Sequence, residues 1–320
     1  MKESEIRPRE LFEKYITLSN LDGQKMASEK FQSIPCPACG TDHFENAFVK
    51  NEYHFNKCVS CYSLYCSPRP SQEQLDQLYF NSESSQYWSN VFFPAVKDAR
   101  REKLFRPKAS QILKMINAEK LSIQNFCDVG AGHGLLLEEI GHLSNEINLH
   151  AIEPDSTSAQ ICREKGIEVL EETSEKSEPW HGKFDLVLSS EVIEHVYSPE
   201  SFIRSLYNLT KDDGHTLITG LGHEGFDILT LQEKSNSVSA PHHLNFMSVE
   251  GFEKLFKRVG FKEVKVWTPG KLDVDIVVNS GVPTEFIKAL QRRGDKAMQA
   301  FQQFLVDHKL SSHIWVLAKK

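Results

Sequence analysis

Three groups of residues in this 320-residue chain have the types and spacing that chemistry requires. The first is Asp128-Val129-Gly130-Ala131-Gly132-His133-Gly134, with three glycines at alternate positions behind a carboxylate. Glycines there let the backbone turn sharply and admit a ligand against bare main chain. The helical pattern that follows, Leu135, Leu136, Leu137 and Ile140, points free N–H groups at the ligand and favours an anionic one. A dinucleotide loop would read G-x-G-x-x-G, but the sixth position from Gly130 is Leu135, so that reading fails. Glu153, followed by Pro154, ends the next apolar stretch about 20 residues on, where an acid can take both hydroxyls of a ribose.

The second group is Glu191-Val192-Ile193-Glu194-His195, joined later by His242-His243. Two carboxylates and an imidazole on one turn can converge on a reacting group. Histidine has the unperturbed range of a base working near neutral pH. The candidates are His195, His242 and His243, in that order, with Glu191 and Glu194 orienting or assisting. Of the His242-His243 pair, one ring is expected to point inward and the other outward. A divalent metal on Glu191, Glu194, His195 and His242 or His243 is the alternative; it would hold an acceptor hydroxyl and lower its pKa.

The third group is Cys36-x2-Cys39, eighteen residues, then Cys58-x2-Cys61. Two knuckles of two thiolates close a tetrahedron around Zn²⁺, and four cysteines leave no open coordination place, so the zinc is expected to be structural. Phe44, Phe48, Tyr53 and Phe55 suit the short strands of a ribbon. Cys66 is spare, and His43 and His54 are rival ligands that four cysteines make unnecessary.

Behind these groups the chain alternates strand and helix in the manner of a parallel sheet covered on both faces. Strands are expected at 123–129, 147–152, 166–170, 184–190, 216–221 and 264–267, with an antiparallel seventh at 314–318. Residues 1–34 read as an amphipathic packing arm, 35–70 as the ribbon, 71–110 as connecting helices and 111–320 as the catalytic domain. Ser71 and Ser248 are placed to cap helices. The helical pattern from Ala95 is expected to break near Pro107. Its charges, Arg100, Arg101, Lys103, Arg106 and Lys108, read as a solvated face, or else as a cradle for a substrate phosphate. Tyr87 and Trp88 belong to an aromatic connection that staples the modules together or lies over a ligand. Residues 222–241 are long enough for a substrate lid, and a helical insertion is expected from Pro283 to His308.

The net charge of −7 argues against a general nucleic-acid or anionic-membrane surface. No apolar run approaches the ~18 residues of a membrane span. Met1-Lys2-Glu3-Ser4-Glu5 lacks a signal peptide's apolar core. Five of seven cysteines fall between Cys36 and Cys66, which points to a metal in a reducing, cytoplasmic compartment. Nothing in the pattern sets an oligomeric state.

Asp-x-Gly-x-Gly-x-Gly resembles the first motif of the class I S-adenosylmethionine (SAM) methyltransferases. Phe184-Asp185-Leu186-Val187-Leu188-Ser189-Ser190-Glu191-Val192-Ile193-Glu194-His195 is similar to the fourth motif of many small-molecule methyltransferases. The resemblance implies a Rossmann-like, seven-stranded α/β fold whose glycine loop wraps the methionine part of SAM, with Asp128 suiting its amino group. The cofactor-binding set is then Asp128, Gly130, Ala131, Gly132, Gly134, Glu153, Pro154 and Ser190. This core behind a four-cysteine ribbon resembles the sugar methyltransferases of nucleotide-sugar and surface-polysaccharide pathways. It implies methyl transfer to a hydroxyl or carbon of a sugar-like small molecule. Glu-x-x-Glu-His looks like the set in small-RNA terminal 2'-O-methyltransferases and some quinone O-methyltransferases. Rival functions are therefore a quinone or phenol O-methyltransferase, an RNA or protein methyltransferase that docks through the ribbon, and a silent SAM-binding regulator.

Overall fold

A computed structural model describes residues 3–26, 28–282 and 284–320. Met1 and Lys2 of the expected arm, and Pro283 at the start of the expected insertion, lie outside the described residues. Strands β1 (Phe44–Lys50), β2 (Tyr53–Cys58) and β3 (Leu64–Cys66) form the ribbon. Then follow β4 (Asn125–Val129), β5 (Asn148–Ile152), β6 (Glu168–Leu170), β7 (Phe184–Ser190) and β8 (Thr210–Leu221). The short β9 (Asn245–Phe246), β10 (Glu263–Trp267) and β11 (His313–Lys319) complete the set.

The main sheet has seven strands in the order β10-β11-β8-β7-β4-β5-β6. Its β8-β7-β4-β5-β6 part is parallel, and β11 runs antiparallel to both β8 and β10, as expected for the last strand. Apolar side chains on both faces of β4 and β7 make these strands nearly continuous hydrophobic runs, because helices cover the sheet on both sides. Ala109, Ile112, Leu137 and Ile140 pack one face. Phe202, Leu206, Phe252 and Phe256 pack the other, together with Cys36, Cys58, Cys61 and Tyr65 of the ribbon. The ribbon is thus part of the core and not an appendage.

Local sequence explains the helix starts. Ser71 accepts from the Gln74 N–H while the Gln74 side chain returns to the Ser71 N–H, a full capping box. Ser248 accepts from the Gly251 N–H at 2.8 Å.

Two expectations fail for identifiable reasons, and one helix is added to those expected. The helix does not break at Pro107. Residues 93–118 stay helical because π turns at Trp88–Phe92 and Arg101–Phe105 widen the spiral just before Pro94 and Pro107. That widening removes the clash and the lost N–H bond that a proline would impose. Residues 222–241 are not a free lid. Helix Phe226–Leu231 lies within them, and Val238 and Ala240, with Leu244 beyond, pack against Tyr53, Phe55 and Leu64. The same connection delivers β9, which adds a fourth strand to the ribbon sheet beside β3. After Gly270 the chain forms a helix at Asp273–Asn279 that periodicity did not reveal, then Glu285–Arg292 and Asp295–Asp307.

Candidate active site at the strand tips

The glycine turn leaves β4 with Gly130, Gly132 and Gly134 all at positive φ, between +53° and +77°. A Cβ at Gly130 would meet Val192 Cγ2 at 2.7 Å, and one at Gly134 would meet Cys162 Sγ at 2.8 Å. At Gly132 nothing lies within 4 Å, so this side of the turn is open. Glu153, at the tip of β5, accepts from the Gly132 N–H at 2.7 Å and from the Asp155 N–H at 3.0 Å. Asp128 is buried with Oδ1 unpartnered among the described residues. Burial pushes its carboxyl up to about 7, against the pull of Lys108. A buried carboxylate oxygen without a donor is costly, and a bound cation would satisfy it.

At the tips of β7 and β8 a second network forms. Lys108 Nζ donates to Ser190 Oγ (2.9 Å), Glu191 Oε1 (2.9 Å) and Thr219 Oγ1 (3.1 Å). Thr219 donates to Glu191 Oε1 at 2.7 Å, and His313 Nε2 lies 2.9 Å from the same oxygen. Burial raises the Glu191 carboxyl, but Lys108 and His313 outweigh it and hold the group well below the usual carboxylate range. Glu191 itself sits at φ +58°, a left-handed backbone that a non-glycine residue rarely adopts.

Glu194, His195 and His243 bring one ligand atom each within 4.8 Å of one another. Their hydrogen bonds fix the tautomers. The Tyr79 hydroxyl donates to the His242 carbonyl at 3.0 Å, so at 3.1 Å it accepts from His195 Nδ1–H and leaves His195 Nε2 with a free lone pair. His243 Nδ1 lies 2.7 Å from the Ser237 carbonyl and must donate, which frees its Nε2 in the same way. Burial, with the neighbouring His243 and His242, keeps His195 well below the ordinary histidine range, and burial lowers His243 to about 4. Both rings are neutral at pH 7. Glu194 is 1% exposed, its Oε2 has no partner among the described residues, and burial together with Glu191 raises it well above the carboxylate range.

The other expected residues fall differently. His242 faces away from this trio: its Nε2 lies 3.0 Å from Ser84 Oγ and its ring packs beside Tyr15. Neither ring of the pair points outward. Tyr87 and Trp88 take the stapling role. Tyr87 donates to the Leu11 carbonyl and Trp88 stacks on Phe92 and Tyr15, so both fasten the N-terminal helix Arg9–Gln24. The basic run is neither solvated throughout nor a cradle as a whole. Arg101 and Arg106 pair with Glu139, Lys103 pairs with Glu5, and Lys108 turns inward.

The sequence pattern marks Lys108 only as part of the basic run and does not mark His313, Tyr79 or Arg69 as site residues. Arg69, fully buried, donates to the carbonyls of Cys66, Tyr197 and Leu244 and so ties the ribbon to both segments carrying the trio. His313 had a readable signal. The first residue of a strand antiparallel to β8 must lie at the carboxyl ends of the parallel strands, and His313 pairs with Leu221.

In the ribbon, Cys36, Cys39, Cys58 and Cys61 place all four sulfurs within 4.8 Å. The Cys36–Cys61 and Cys39–Cys58 separations are 3.6 and 3.5 Å, close to the ~3.8 Å edge of a tetrahedron with Zn–S bonds of ~2.3 Å. The cluster could hold zinc. His43 and His54 are exposed and outside it. Among the described residues no helix is long and apolar enough to cross a membrane.

Comparison with known proteins agrees with this geometry. A family model described as "Methyltransferase domain" matches residues 93–266. The chain is 36% identical over 100 residues to the mitochondrial ubiquinone biosynthesis O-methyltransferase of Arabidopsis thaliana, which covers 29% of this chain and 31% of that protein. It is 29% identical over 178 residues to the Bos taurus protein of the same name, covering 48% of this chain and 45% of the relative. The chain therefore spans less than half the length of these curated relatives. Among solved structures, the plantazolicin methyltransferase BamL with a triazolic analogue and SAH (S-adenosylhomocysteine) matches over 77% of this chain and 94% of its own. The TM-score is 0.51 at 14% identity, a likeness of fold. The chain belongs to the methyltransferase-domain family.

Proposed function

We propose that the enzyme methylates a hydroxyl of a small, sugar-like acceptor, with residues 111–320 carrying the cofactor and the 35–70 ribbon backing the acceptor side. SAM supplies a methyl group on a sulfonium, a good leaving group. The open glycine turn, Asp128 and Glu153 would hold it. Asp128 offers the unpartnered oxygen that an ammonium group requires, and Glu153 offers carboxylate lone pairs to a ribose. Gly130, Ala131, Gly132, Gly134, Pro154 and Ser190 would shape the same cradle.

The observation that carries the hydroxyl reading is the tautomer of His195. Its neutral imidazole has Nε2 free at the strand tips and can take the acceptor's proton as the methyl–oxygen bond forms and the methyl–sulfur bond breaks. Lys108 and His313 would keep Glu191 ionised to orient the acceptor. The net charge of −7 favours a small acceptor over RNA. The relatives' name supports oxygen as the methylated atom, and a phenol is the runner-up acceptor. Incubating the protein with labelled SAM and size-fractionated extract tests this. Label is expected in polar, oligosaccharide-sized or smaller products; label only in apolar phenols or only in macromolecules would overturn the sugar reading.

A second reading rests on the orphaned Glu194 Oε2. Glu194, His195 Nε2 and His243 Nε2 would hold a divalent cation, which when bound would lower the pKa of an acceptor hydroxyl. His195 would then be a ligand and not the base. Added Mn²⁺ would raise the melting temperature of the wild type but not of Glu194→Gln. Equal behaviour of the two proteins would discard this reading. In the ribbon, Cys36, Cys39, Cys58 and Cys61 would hold one structural zinc.

A further inference from the structure

Two half-buried arginines near the site each leave a buried guanidinium nitrogen without a partner among the described residues. Arg100, on the helix entering the catalytic domain, makes no hydrogen bond or ion pair among the described residues, and its Nε is buried without a partner. It lies over the rings of Trp88 and Phe105, at 5.7 and 6.0 Å from their centroids. Arg7, from the N-terminal arm, lies over Phe12 at 5.2 Å and also has a buried, unpartnered Nε. Its nearest carboxylate is Glu3, at a loose 3.7 Å. Phe12, Trp88 and Tyr15 belong to one aromatic cluster, so both cations stand on the same wall.

The wall reaches the strand-tip groups through His242 and Tyr79, whose ring meets both His242 and His195 edge-on. Tyr15 packs beside His242, and the charge of Arg7 bears on Tyr15, His243 and Arg100. Burial and this like-charged neighbour depress Arg100 to about 10, while Glu191 pulls the other way. Bringing two cations together in a protein of net charge −7, and leaving one unpaired, is unfavourable unless an anion joins them.

We propose that Arg7 and Arg100 form a binding site for a phosphoryl group on the acceptor. A carboxylate presents one charge and two oxygens, enough for one guanidinium fork. A phosphate ester dianion presents three oxygens and serves two forks from different elements at once. The aromatic wall would shield the contact from water. This rests on the small-molecule reading above and narrows it to a phosphorylated acceptor.

The test uses the full-length, zinc-loaded protein saturated with SAH, so that the glycine turn is filled, with inorganic phosphate as the probe against chloride at equal ionic strength. Phosphate is expected to bind saturably and raise the melting temperature. Arg100→Gln and Arg7→Gln should each weaken phosphate binding at least tenfold, and Arg100→Lys, which keeps a charge, should weaken it less. SAH affinity should stay within twofold of wild type. Because either Gln variant removes one of two charges that repel each other, its melting temperature without phosphate should be no lower than wild type, which separates lost binding from lost folding. No saturable phosphate binding by the wild type, or unchanged binding by both Gln variants, would overturn the proposal. So would a tenfold loss of SAH affinity in Arg100→Gln, since the pair would then serve the cofactor's carboxylate. Failure of the wild type to bind SAH at all would instead strike the methyltransferase reading.

Discussion

The four ribbon sulfurs and the Glu194–His195–His243 trio both gather their ligand atoms within 4.8 Å, yet they sit in different company. The ribbon cluster comes from two local knuckles, and its thiols touch each other, the Ser63 hydroxyl and the core. The trio comes from segments some fifty residues apart, clamped together by Asn245, whose amide donates to the Ile193 and Val196 carbonyls. Around the trio lie an orphaned Glu194 oxygen, two neutral imidazoles and, at the adjoining tip, a left-handed Glu191. A closed, satisfied cluster stabilises a fold, whereas unsatisfied groups persist only where a ligand or a reaction uses them.

This contrast can be broken at either end. Cys58→Ser should have the largest effect on folding. Metal content should fall from one zinc per chain to none, and stability should drop by on the order of 5 kcal/mol, because a structural zinc's binding energy is folding energy. Freshly purified wild type without zinc would remove the ribbon from the account. His195→Gln should leave folding and SAH affinity near wild type while cutting kcat about a hundredfold. Unchanged turnover would take His195 out of the chemistry.

The smallest expected effect sharpens the contrast with a third buried group. Neither carboxylate oxygen of Asp227 has a well-formed hydrogen bond among the described residues, and burial beside Asp273, partly offset by Ser312 and the Ile228 N–H, raises it from 3.8 to about 7. With the folded value above the unfolded one, its stabilising protonation is complete below pH 3.8 and lost as pH rises through 7. Asp227→Asn should therefore gain stability relative to wild type, on the order of 1 kcal/mol, at pH 8 and not at pH 4. A gain independent of pH would mean that Asp227 is ionised throughout.

What could be read from the chain was what short spacing encodes. The cysteine knuckles, the glycine turn, Glu153 at the tip of the second parallel strand and the Ser71 and Ser248 caps all depend on residues a few positions apart. Lys108 and His313 could not be read that way, since each reaches Glu191 only once the sheet has brought its element to the strand tips. Arg69 was hidden between two prolines that read as a stop. The π turns before Pro94 and Pro107 were equally silent, because proline normally signals a break and only the packed helix shows how the break is absorbed. His242 and His243 are adjacent in sequence, yet their Ser84 and Ser237 partners send them to different tasks.

The most direct test is calorimetric titration of SAH into the purified protein and into Glu153→Ala. The wild type should bind one equivalent, and the variant should bind about a hundredfold more weakly, the loss of two charge-assisted hydrogen bonds to a ribose. No heat with the wild type, or equal affinity in the two proteins, would contradict a cofactor held across the tips of β4 and β5.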